Sequence, residues 1–204
     1  MPKVVNPEER REQIADAVFD LIVAGGVEQA SLRNVAEQAG LNIGSVRHYV
    51  DGHQGMLIDA VQVMGERVAA RITACAEAFF GSSEGAGAAG FGRLESLAVD
   101  MLEQLLPLTA ESRREVAVWL AFTERSRVDP ELATVARQLL GGSRDLARMI
   151  LGWVEVSNLE QATELLASTV DGLTIAALHD PDQYPRERVR ELLAAQLRMC
   201  LRRD

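Results

Sequence analysis

The chain has 204 residues, of which 48% are hydrophobic and 4% aromatic, and its formal net charge at pH 7 is −9. This length leaves ample chain for a buried core, and no apolar run approaches the length that a membrane-spanning helix requires. The start of the chain, MPKVVNPEERRE, lacks the apolar core of a signal peptide, so we expect a cytoplasmic protein. The alternation of β-branched residues that is typical of strands is absent, which predicts an all-α fold.

The first predicted helix begins at the segment Asn6-Pro7-Glu8-Glu9. Asn6 is a suitable N-cap, Pro7 fits the first helical position, and two acids follow in the first turn, where the helix dipole favours them. The helix is expected to stop at Gly25-Gly26. Hydrophobic residues recur between these ends at helical spacing, at Ile14, Val18, Leu21 and Ile22.

Residues 31–50, SLRNVAEQAGLNIGSVRHYV, have the pattern of a helix-turn-helix. Ser31 is an N-cap for a helix over about 32–39, Gly40 allows a turn with positive φ, and a second helix runs over about 43–50. A small core between the two helices can be closed by Val35, Ala39, Leu41 and Val46. An αα-hairpin used only for packing is the alternative. The helix before the motif and the long helix after it favour DNA binding.

Helices separated by clear breakers follow this motif. The fourth starts near His53, continues to about Phe80 and ends in GSSEGAGAAGFG, residues 81–92, the one low-complexity segment. We expect this segment to form a flexible loop between helices. Five further helices are predicted, at about 93–106, 111–126, 129–155 and 159–178, and from Pro185 to the C-terminus. The seventh is expected to start at the cap Asp129-Pro130. The sequence therefore predicts about nine helices.

The stretches IADAVFDLIVAGGVEQASLRNVAEQAGLNIGSVRHYV and MLIDAV resemble the DNA-binding domain of the TetR family of transcriptional regulators. GSVRHYV is most similar to the BetI-like branch, which VWLAFTERSRVDPEL and VDGLTIAALHDP resemble more loosely. The resemblance implies a helix-turn-helix DNA-binding domain at residues 1–52 and a helical effector-binding and dimerisation domain at residues 53–204. It also implies a homodimeric repressor that a small-molecule effector releases from a palindromic operator in double-stranded DNA.

The second helix of the motif is expected to enter the major groove, where side chains reach base edges. The candidates for base contacts are Asn42, Ser45, Arg47 and His48, and the DNA-facing set is completed by Ile43 and Gly44. The candidates for contacts with the phosphate backbone are Ser31, Arg33, Tyr49 and His53. For Tyr49 the alternative is a ring buried under the helix, with only its hydroxyl exposed. Many family members have a tyrosine in place of Arg47 and a lysine in place of His53.

Bulky residues of the C-terminal part are candidates for an effector pocket, because the resembling family binds effectors among the helices of that domain. They are Met101, Leu105, Trp119, Phe122, Met149 and Trp153. Asp171 is a polar group that can orient a ligand. Ordinary core packing is the alternative for each bulky residue, and pairing with an arginine is the alternative for Asp171.

Two apolar stripes predict self-association through the last two helices. Helix eight contributes Leu165, Leu166, Thr169 and Leu173, and helix nine contributes Leu192, Leu193, Gln196 and Leu197. Each stripe holds more apolar surface than one contact within the chain requires, and the resemblance implies a four-helix bundle between two subunits. A two-fold dimer would place two recognition helices about one turn of DNA apart. A monomer that uses both stripes internally is the alternative.

Other functions have little support in the sequence. It contains no Cys/His metal-ligand spacing and no P-loop, so no enzyme activity, metal or cofactor is predicted, and Cys75 and Cys200 are expected to be reduced packing residues. Residues 1–65 hold nine acidic and five basic residues, which is unusual for a nucleic-acid binder. This balance favours the alternative function, a helical ligand-binding or protein-interaction module with a degenerate helix-turn-helix. We expect instead that the first helix turns most of its acids away from the duplex.

Overall fold

The computed structural model describes residues 6–81 and 90–200. These residues form nine α-helices and two short 3₁₀ turns and contain no β-strand, which confirms the predicted all-α fold. The α-helices are α1 Pro7–Gly25, α2 Leu32–Gln38, α3 Ile43–Tyr49, α4 Gly52–Gly81, α5 Phe91–Leu102, α6 Ala110–Ser126, α7 Ala133–Leu151, α8 Leu159–His179 and α9 Arg186–Cys200. The 3₁₀ turns are Val27–Gln29 and Glu103–Leu105. Most of the loop predicted over 81–92 lies outside the described residues.

Both ends of α1 confirm the predicted start and stop. The side chain of Asn6 accepts a hydrogen bond from the backbone N–H of Glu8 at 3.1 Å and so caps the first turn. At the other end Gly26 has φ 86°, in the region that favours glycine, and its N–H donates to the Ile22 carbonyl at 2.8 Å.

The limits of α7 differ from the prediction. The helix begins at Ala133 rather than at Asp129, and it ends at Leu151 rather than near residue 155. The Asp129 side chain accepts from the backbone N–H of Glu131 at 3.2 Å, and the Asp129 carbonyl accepts from the N–H of Leu132 at 3.2 Å. These local bonds close a turn before the helix, because an aspartate side chain competes for backbone N–H groups that are near it in sequence.

The described residues form two compact units, and the first contains α1–α3, α4 as far as Arg67, and the segment Ala117–Leu139. Its core includes the fully buried side chains of Val18, Phe19, Val46, Met56 and Phe122. The small core predicted between α2 and α3 is confirmed: two of its residues are fully buried and two are half-buried beside them. The functional boundary at residue 52 stays a prediction, since these units are defined by packing alone.

The second unit contains α4 from Val68 onward, α5, the start of α6, the end of α7, α8 and α9. Its apolar core is formed by buried side chains of α5, α7, α8 and α9. Ion pairs also join the 3₁₀ turn after α5 to α9, because the buried Glu103 accepts from Arg186 at 2.8 Å and also pairs with Arg190. Among the helices described in the two units, none combines the length and the apolar composition needed to cross a bilayer.

Candidate nucleic-acid interface

Hydrogen bonds define both ends of α2 and, at its C-terminal end, the turn that leads to α3. The Ser31 hydroxyl accepts from a backbone N–H of the first turn at 3.2 Å and caps α2, as predicted. At the other end Gly40 has φ 66°, and its N–H donates to the Glu37 carbonyl at 3.1 Å. The N–H of Leu41 donates to the Ala36 carbonyl at 2.8 Å, which completes a Schellman motif. The turn therefore has a defined conformation that favours glycine.

The side chain of Asn42 caps α3. Its Oδ1 atom accepts from the backbone N–H of Ser45 at 2.7 Å. Gly44 lies against this cap, because a Cβ atom at residue 44 would come within 3.2 Å of Asn42 Oδ1. Residues of the predicted DNA-binding set therefore also start the helix. The carboxamide nitrogen of Asn42 is the atom of this side chain that can donate to a base or a phosphate.

The outward side of α3 carries the other residues predicted to contact DNA. Arg47, His48, Ile43 and Tyr49 are exposed, whereas Val46 is buried in the core of the first unit. The rings of His48 and Tyr49 meet edge to face, with their centroids 5.3 Å apart. Because the Tyr49 ring is exposed, the alternative of a ring buried under the helix is wrong. The exposed surface of α3 thus offers a guanidinium and an imidazole to a partner.

Three further candidates for phosphate contacts lie on α2, on the cap before it and on α4. Arg33 is exposed on α2, Ser31 is half-buried at the cap, and His53 is half-buried in the first turn of α4. The Ser31 hydroxyl already accepts the capping hydrogen bond, but a hydroxyl that accepts one bond can still donate another. The contacts of these residues with DNA stay predictions.

Two glutamines hold α2 against α1, and neither contact was predicted from the sequence. Gln13 Nε2 of α1 donates to the carbonyl of Ala39 at 2.7 Å, and Gln38 Nε2 of α2 donates to the Asp20 carboxylate at 3.2 Å. Each bond joins residues that are far apart in sequence, so no local pattern predicts it. Both glutamine contacts lie at the end of α2 where the turn begins.

Arginines compensate part of the acidic charge of α1. Arg67 of α4 pairs with Asp16 at 2.9 Å and also with Glu12, and Arg11 pairs with Glu66 of α4 at 2.6 Å. Acidic side chains of α1 line a surface groove of about 600 Å³, and they are Glu8, Glu9, Glu12, Asp16 and Asp20. The groove is lined by α1, its N-cap and the end of α2 rather than by α3. The excess acid is therefore concentrated on a surface other than the exposed side of α3.

The predicted effector set is divided between the two units. Trp119 and Phe122 belong to the first unit, where Phe122 is fully buried in the core. The three that pack in the core of the second unit are Met101, Leu105 and Trp153. Met149 is 45% exposed on α7, because it lies on the opposite side of the helix from the buried Ala147 and Leu151. Its assignment to an internal pocket is therefore wrong. The cleft beside Trp153 measures only about 20 Å³.

Asp171 of α8 is half-buried and is hydrogen-bonded to Ser143 of α7. Burial raises the pKa of Asp171 above its ordinary value, although the bond to Ser143 and the charge of Arg144 act in the opposite direction. Arg144 itself pairs with Glu164 at 2.5 Å. A half-buried carboxylate of this kind is suited to a ligand that donates a hydrogen bond.

The predicted dimer stripes are partly wrong about which side chains face outward. Four of the eight residues are buried in the core of the second unit: Leu166, Leu173, Leu193 and Leu197. Three are half-buried: Thr169, Leu192 and Gln196. Leu165 is 53% exposed. Successive residues of an α-helix are about 100° apart, so Leu165 and Leu166 point to different sides. The exposed side of α8 carries Leu165, Ser168, Gly172 and Ile175.

Cys75 and Cys200 are free and half-buried. Burial raises the pKa of both thiols, which disfavours the reactive thiolate. Each sulfur lies 3.8 Å from a backbone carbonyl oxygen, that of Asp100 for Cys75 and that of Ala162 for Cys200. These surroundings confirm two packing residues. Within residues 6–81 and 90–200, no group of three or more His, Cys, Asp or Glu side chains is arranged to hold a metal ion.

Residues 85–90, GAGAAG, have the glycine spacing G-x-G-x-x-G of dinucleotide-binding loops. In those proteins the glycines follow a β-strand and open a helix, so that the backbone approaches a pyrophosphate. Residues 85–89 lie outside the described part of the chain, and the last described element before them is the helix α4, not a strand. The spacing therefore lacks the structural context that would give it a nucleotide-binding role.

Comparison with known proteins agrees with this arrangement. Residues 95–202 match the family described as "BetI-type transcriptional repressor, C-terminal". The chain is 29% identical to the HTH-type transcriptional regulator PksA of Bacillus subtilis (strain 168), over 95% of this chain and 90% of PksA. A transcriptional regulator from Rhodococcus sp. Rha1 has a similar structure, with a TM-score of 0.77 and 30% identity over 94% of this chain and 95% of that chain. FadR of Bacillus subtilis, solved in complex with stearoyl-CoA, has the same fold, with a TM-score of 0.66 and 18% identity over 93% of this chain and 97% of FadR.

Proposed function

Because the chain belongs to the TetR family of transcriptional regulators, with a BetI-type repressor domain, we propose that it binds a palindromic operator as a homodimer. In this proposal residues 1–52 form the DNA-binding domain, and residues 53–204 bind a small-molecule effector and form the dimer contact. The effector releases the repressor from DNA.

The observation that carries the proposal is the exposed side of α3 beside a turn of defined conformation. Arg47 can donate two parallel hydrogen bonds to a guanine, and the carboxamide nitrogen of Asn42 can donate to a neighbouring acceptor. His48 extends the same surface. Arg33 and Tyr49 contribute phosphate contacts, which fix the position of the helix without reading sequence.

We place the dimer contact on the exposed side of α8. Leu165 and Ile175 supply exposed apolar surface, and Ser168 and Gly172 between them are small enough to let a second helix approach closely. Met199 of α9 is also exposed. In a two-fold dimer the same stripe of each subunit contacts its copy. The two α3 helices would then read half-sites about 34–36 Å apart, one turn of DNA.

We place the effector in the second unit, with Trp153 and Asp171 as its candidate contacts. The cleft beside Trp153 has about 20 Å³, close to the space that one water molecule occupies, so a ligand must displace side chains there. A ligand that requires such a rearrangement binds one conformation of the protein more tightly than the other, and this difference can drive release from DNA. FadR, which shares the fold, was solved with an acyl-CoA bound.

The test is DNA binding by fluorescence anisotropy, on an operator selected from a random pool by the unaltered protein. We expect affinity for this operator to exceed that for a scrambled duplex by at least about 10³-fold and to fall steeply with salt. Arg47→Ala should weaken operator binding by roughly tenfold or more, because a bidentate contact with a base contributes about 1–3 kcal/mol.

The matched control is Arg137→Ala. Arg137 is also an exposed arginine, but it donates hydrogen bonds within α7, to the carbonyl of Ala133 and the hydroxyl of Thr134. This variant removes the same charge and should leave operator affinity within about twofold. Equal binding of selected and scrambled DNA at every salt concentration would contradict the proposed function.

A further inference from the structure

Arg67 connects α4 to two carboxylates of α1. Its Nη1 atom donates to Asp16 Oδ1 at 2.9 Å, its Nη2 atom donates to Asp16 Oδ2 at 3.3 Å, and Nη2 also donates to Glu12 Oε2. The guanidinium lies over the ring of Phe19, with Cζ 5.6 Å from the ring centroid. Glu12 and Asp16 are one helical turn apart, so one planar cation can reach both.

A second arginine repeats the connection in the opposite direction. Arg11 of α1 donates through Nη1 to Glu66 Oε2 at 2.6 Å and through Nη2 to Glu66 Oε1 at 3.0 Å. We call the five residues Arg11, Glu12, Asp16, Glu66 and Arg67 the α1–α4 clamp. The side chain of Arg67 is only 21% exposed, so its ion pairs are screened less by water than pairs on an open surface.

The α1–α4 clamp lies where α4 leaves the first unit. The helix α4 is continuous from Gly52 to Gly81, and Arg67 is its last residue in the first unit. On its other side α1 holds the end of α2 through the hydrogen bond from Gln13 to the Ala39 carbonyl. The helix-turn-helix is therefore attached through α1 to the point where α4 leaves the first unit.

We propose that Arg67 is a positioning residue for operator binding, which fixes α1 and the helix-turn-helix to α4 and so sets where α3 is presented. This inference rests on the proposed function, because position matters only when two α3 helices of a dimer must reach two half-sites at once. A helix-turn-helix that is free to shift can still bind one half-site. It loses the gain in affinity that comes from engaging both, since that gain depends on matched geometry.

The experiment compares two duplexes, the selected operator and the same duplex with one half-site scrambled. The variants are Arg67→Met, which keeps the length of the side chain without the ion pairs, and Arg67→Lys, which keeps the charge but cannot bond both carboxylates as a planar fork. The control is Arg144→Met, which removes a bidentate pair with Glu164 inside the second unit. All are assayed as full chains, well below the unfolding temperature that circular dichroism gives for each.

For Arg67→Met we expect operator affinity to fall by about fivefold or more, while affinity for the single half-site changes by less than about twofold. The operator affinity of Arg67→Lys should lie between those of Arg67→Met and the unaltered protein. Arg144→Met should bind both duplexes with the affinity of the unaltered protein. If Arg67→Met is too unstable to assay, the same comparison on Arg67→Lys decides the question. An equal loss of affinity on both duplexes, or no loss on either, would overturn the proposed role of Arg67 but not the proposed function. If the unaltered protein did not prefer operator to scrambled DNA, the proposed function and this inference would fall together.

Discussion

The side-chain amide of Gln13 donates a hydrogen bond to the backbone carbonyl of Ala39, with an Nε2···O distance of 2.7 Å. Ala39 is the last residue before the glycine of the turn, and the backbone bonds of the Schellman motif use the carbonyls of Ala36 and Glu37 instead. Gln13 thus supplies a donor to a carbonyl that the backbone of the turn leaves available. Arg10 Nη1 in turn donates to Gln13 Oε1 at 2.6 Å, which holds the amide in this orientation.

Replacing Gln13 with methionine removes both hydrogen bonds and keeps the length of the side chain. Because the site is exposed and water can replace the donor, we expect the free energy of unfolding to fall by only about 0.5–1 kcal/mol. Urea denaturation followed by circular dichroism measures this change. Gln62→Met, on an exposed position of α4, is the control and should change stability by less than about 0.5 kcal/mol. Equal stability of the two variants would contradict a role for the Gln13–Ala39 bond.

The cap on α3 separates the structural role of Asn42 from its proposed contact with DNA. Asn42→Ala loses the bond to the Ser45 N–H and should lower the free energy of unfolding by about 1 kcal/mol. Asn42→Asp keeps an acceptor for that N–H and should remain within about 0.5 kcal/mol of the unaltered chain. Both variants remove the carboxamide donor, and aspartate adds a charge that repels phosphate. We therefore expect Asn42→Asp to be stable yet to bind operator at least about tenfold more weakly. Operator binding as tight as that of the unaltered protein would show that Asn42 only caps the helix.

A pair of glycines tests the conformation of the turn. Gly40 has φ 66°, and a Cβ atom at this residue would meet no neighbour. Gly40→Ala should therefore lower the free energy of unfolding through backbone strain alone, by about 1 kcal/mol. Gly65 lies inside α4, also with open space, and Gly65→Ala should stabilise the chain by up to about 1 kcal/mol because alanine favours a helix. The temperature of thermal unfolding should therefore fall for Gly40→Ala and rise for Gly65→Ala. A shift in the same direction would mean that the turn tolerates a non-glycine residue.

The sequence predicted those features that depend on neighbours a few positions apart. The caps at Asn6 and Ser31, the stop at Gly26 and the turn at Gly40 all involve bonds within five residues, so the local pattern contains the information. Together with the resemblance, these features were enough for the fold class, the family and the regulatory function. The extent of α7 was predicted less well, because Asp129 can cap either a helix or a turn.

Features that depend on contacts between distant segments were not predictable. The bond from Gln13 to Ala39 spans 26 positions and that from Arg67 to Asp16 spans 51, and each polar side chain looks like ordinary exposed surface in the sequence. Helical periodicity showed that α8 is amphipathic. It did not show which of its apolar residues pack inside the subunit and which remain exposed. Without the packing of α5, α7 and α9, the sequence could not show that Leu166 is buried and that the neighbouring Leu165 is exposed.

The corrected stripe on α8 gives a prediction for the dimer. Leu165→Glu places a charge at one end of the proposed contact stripe, where it would have to be buried against the second copy, so we expect the dimer to dissociate at least about tenfold more readily. The control is Leu140→Glu, because Leu140 is also a leucine of similar exposure, 45% against 53%, and lies on α7. Sedimentation velocity over a range of concentrations gives the dissociation constants. A Leu165→Glu protein that remains as dimeric as Leu140→Glu would place the contact elsewhere.

The half-buried carboxylate of Asp171 makes stability depend on pH in a predictable direction. Burial raises the pKa of Asp171 in the folded chain above its ordinary value of 3.8, so the folded state holds this proton more tightly than the unfolded state does. The contribution of Asp171 to stability is therefore greatest below pH 3.8 and is lost as the pH rises through the raised pKa. Asp171→Asn carries no proton that titrates in this range. Its stability relative to the unaltered chain should thus increase from about pH 4 upward and become constant once Asp171 is ionised in both states.

Ser143 supplies the second half of this test, because its hydrogen bond to Asp171 lowers the pKa that burial raises. Ser143→Ala should raise that pKa further, so the loss of stability with rising pH should be larger than in the unaltered chain and should extend to higher pH. In the double variant with Asp171→Asn the serine change should have no effect on the pH dependence. Urea denaturation at a series of pH values between about 4 and 8 measures all four proteins. A difference between Asp171→Asn and the unaltered chain that stays constant over this range would show that the folded and unfolded states bind the Asp171 proton equally well.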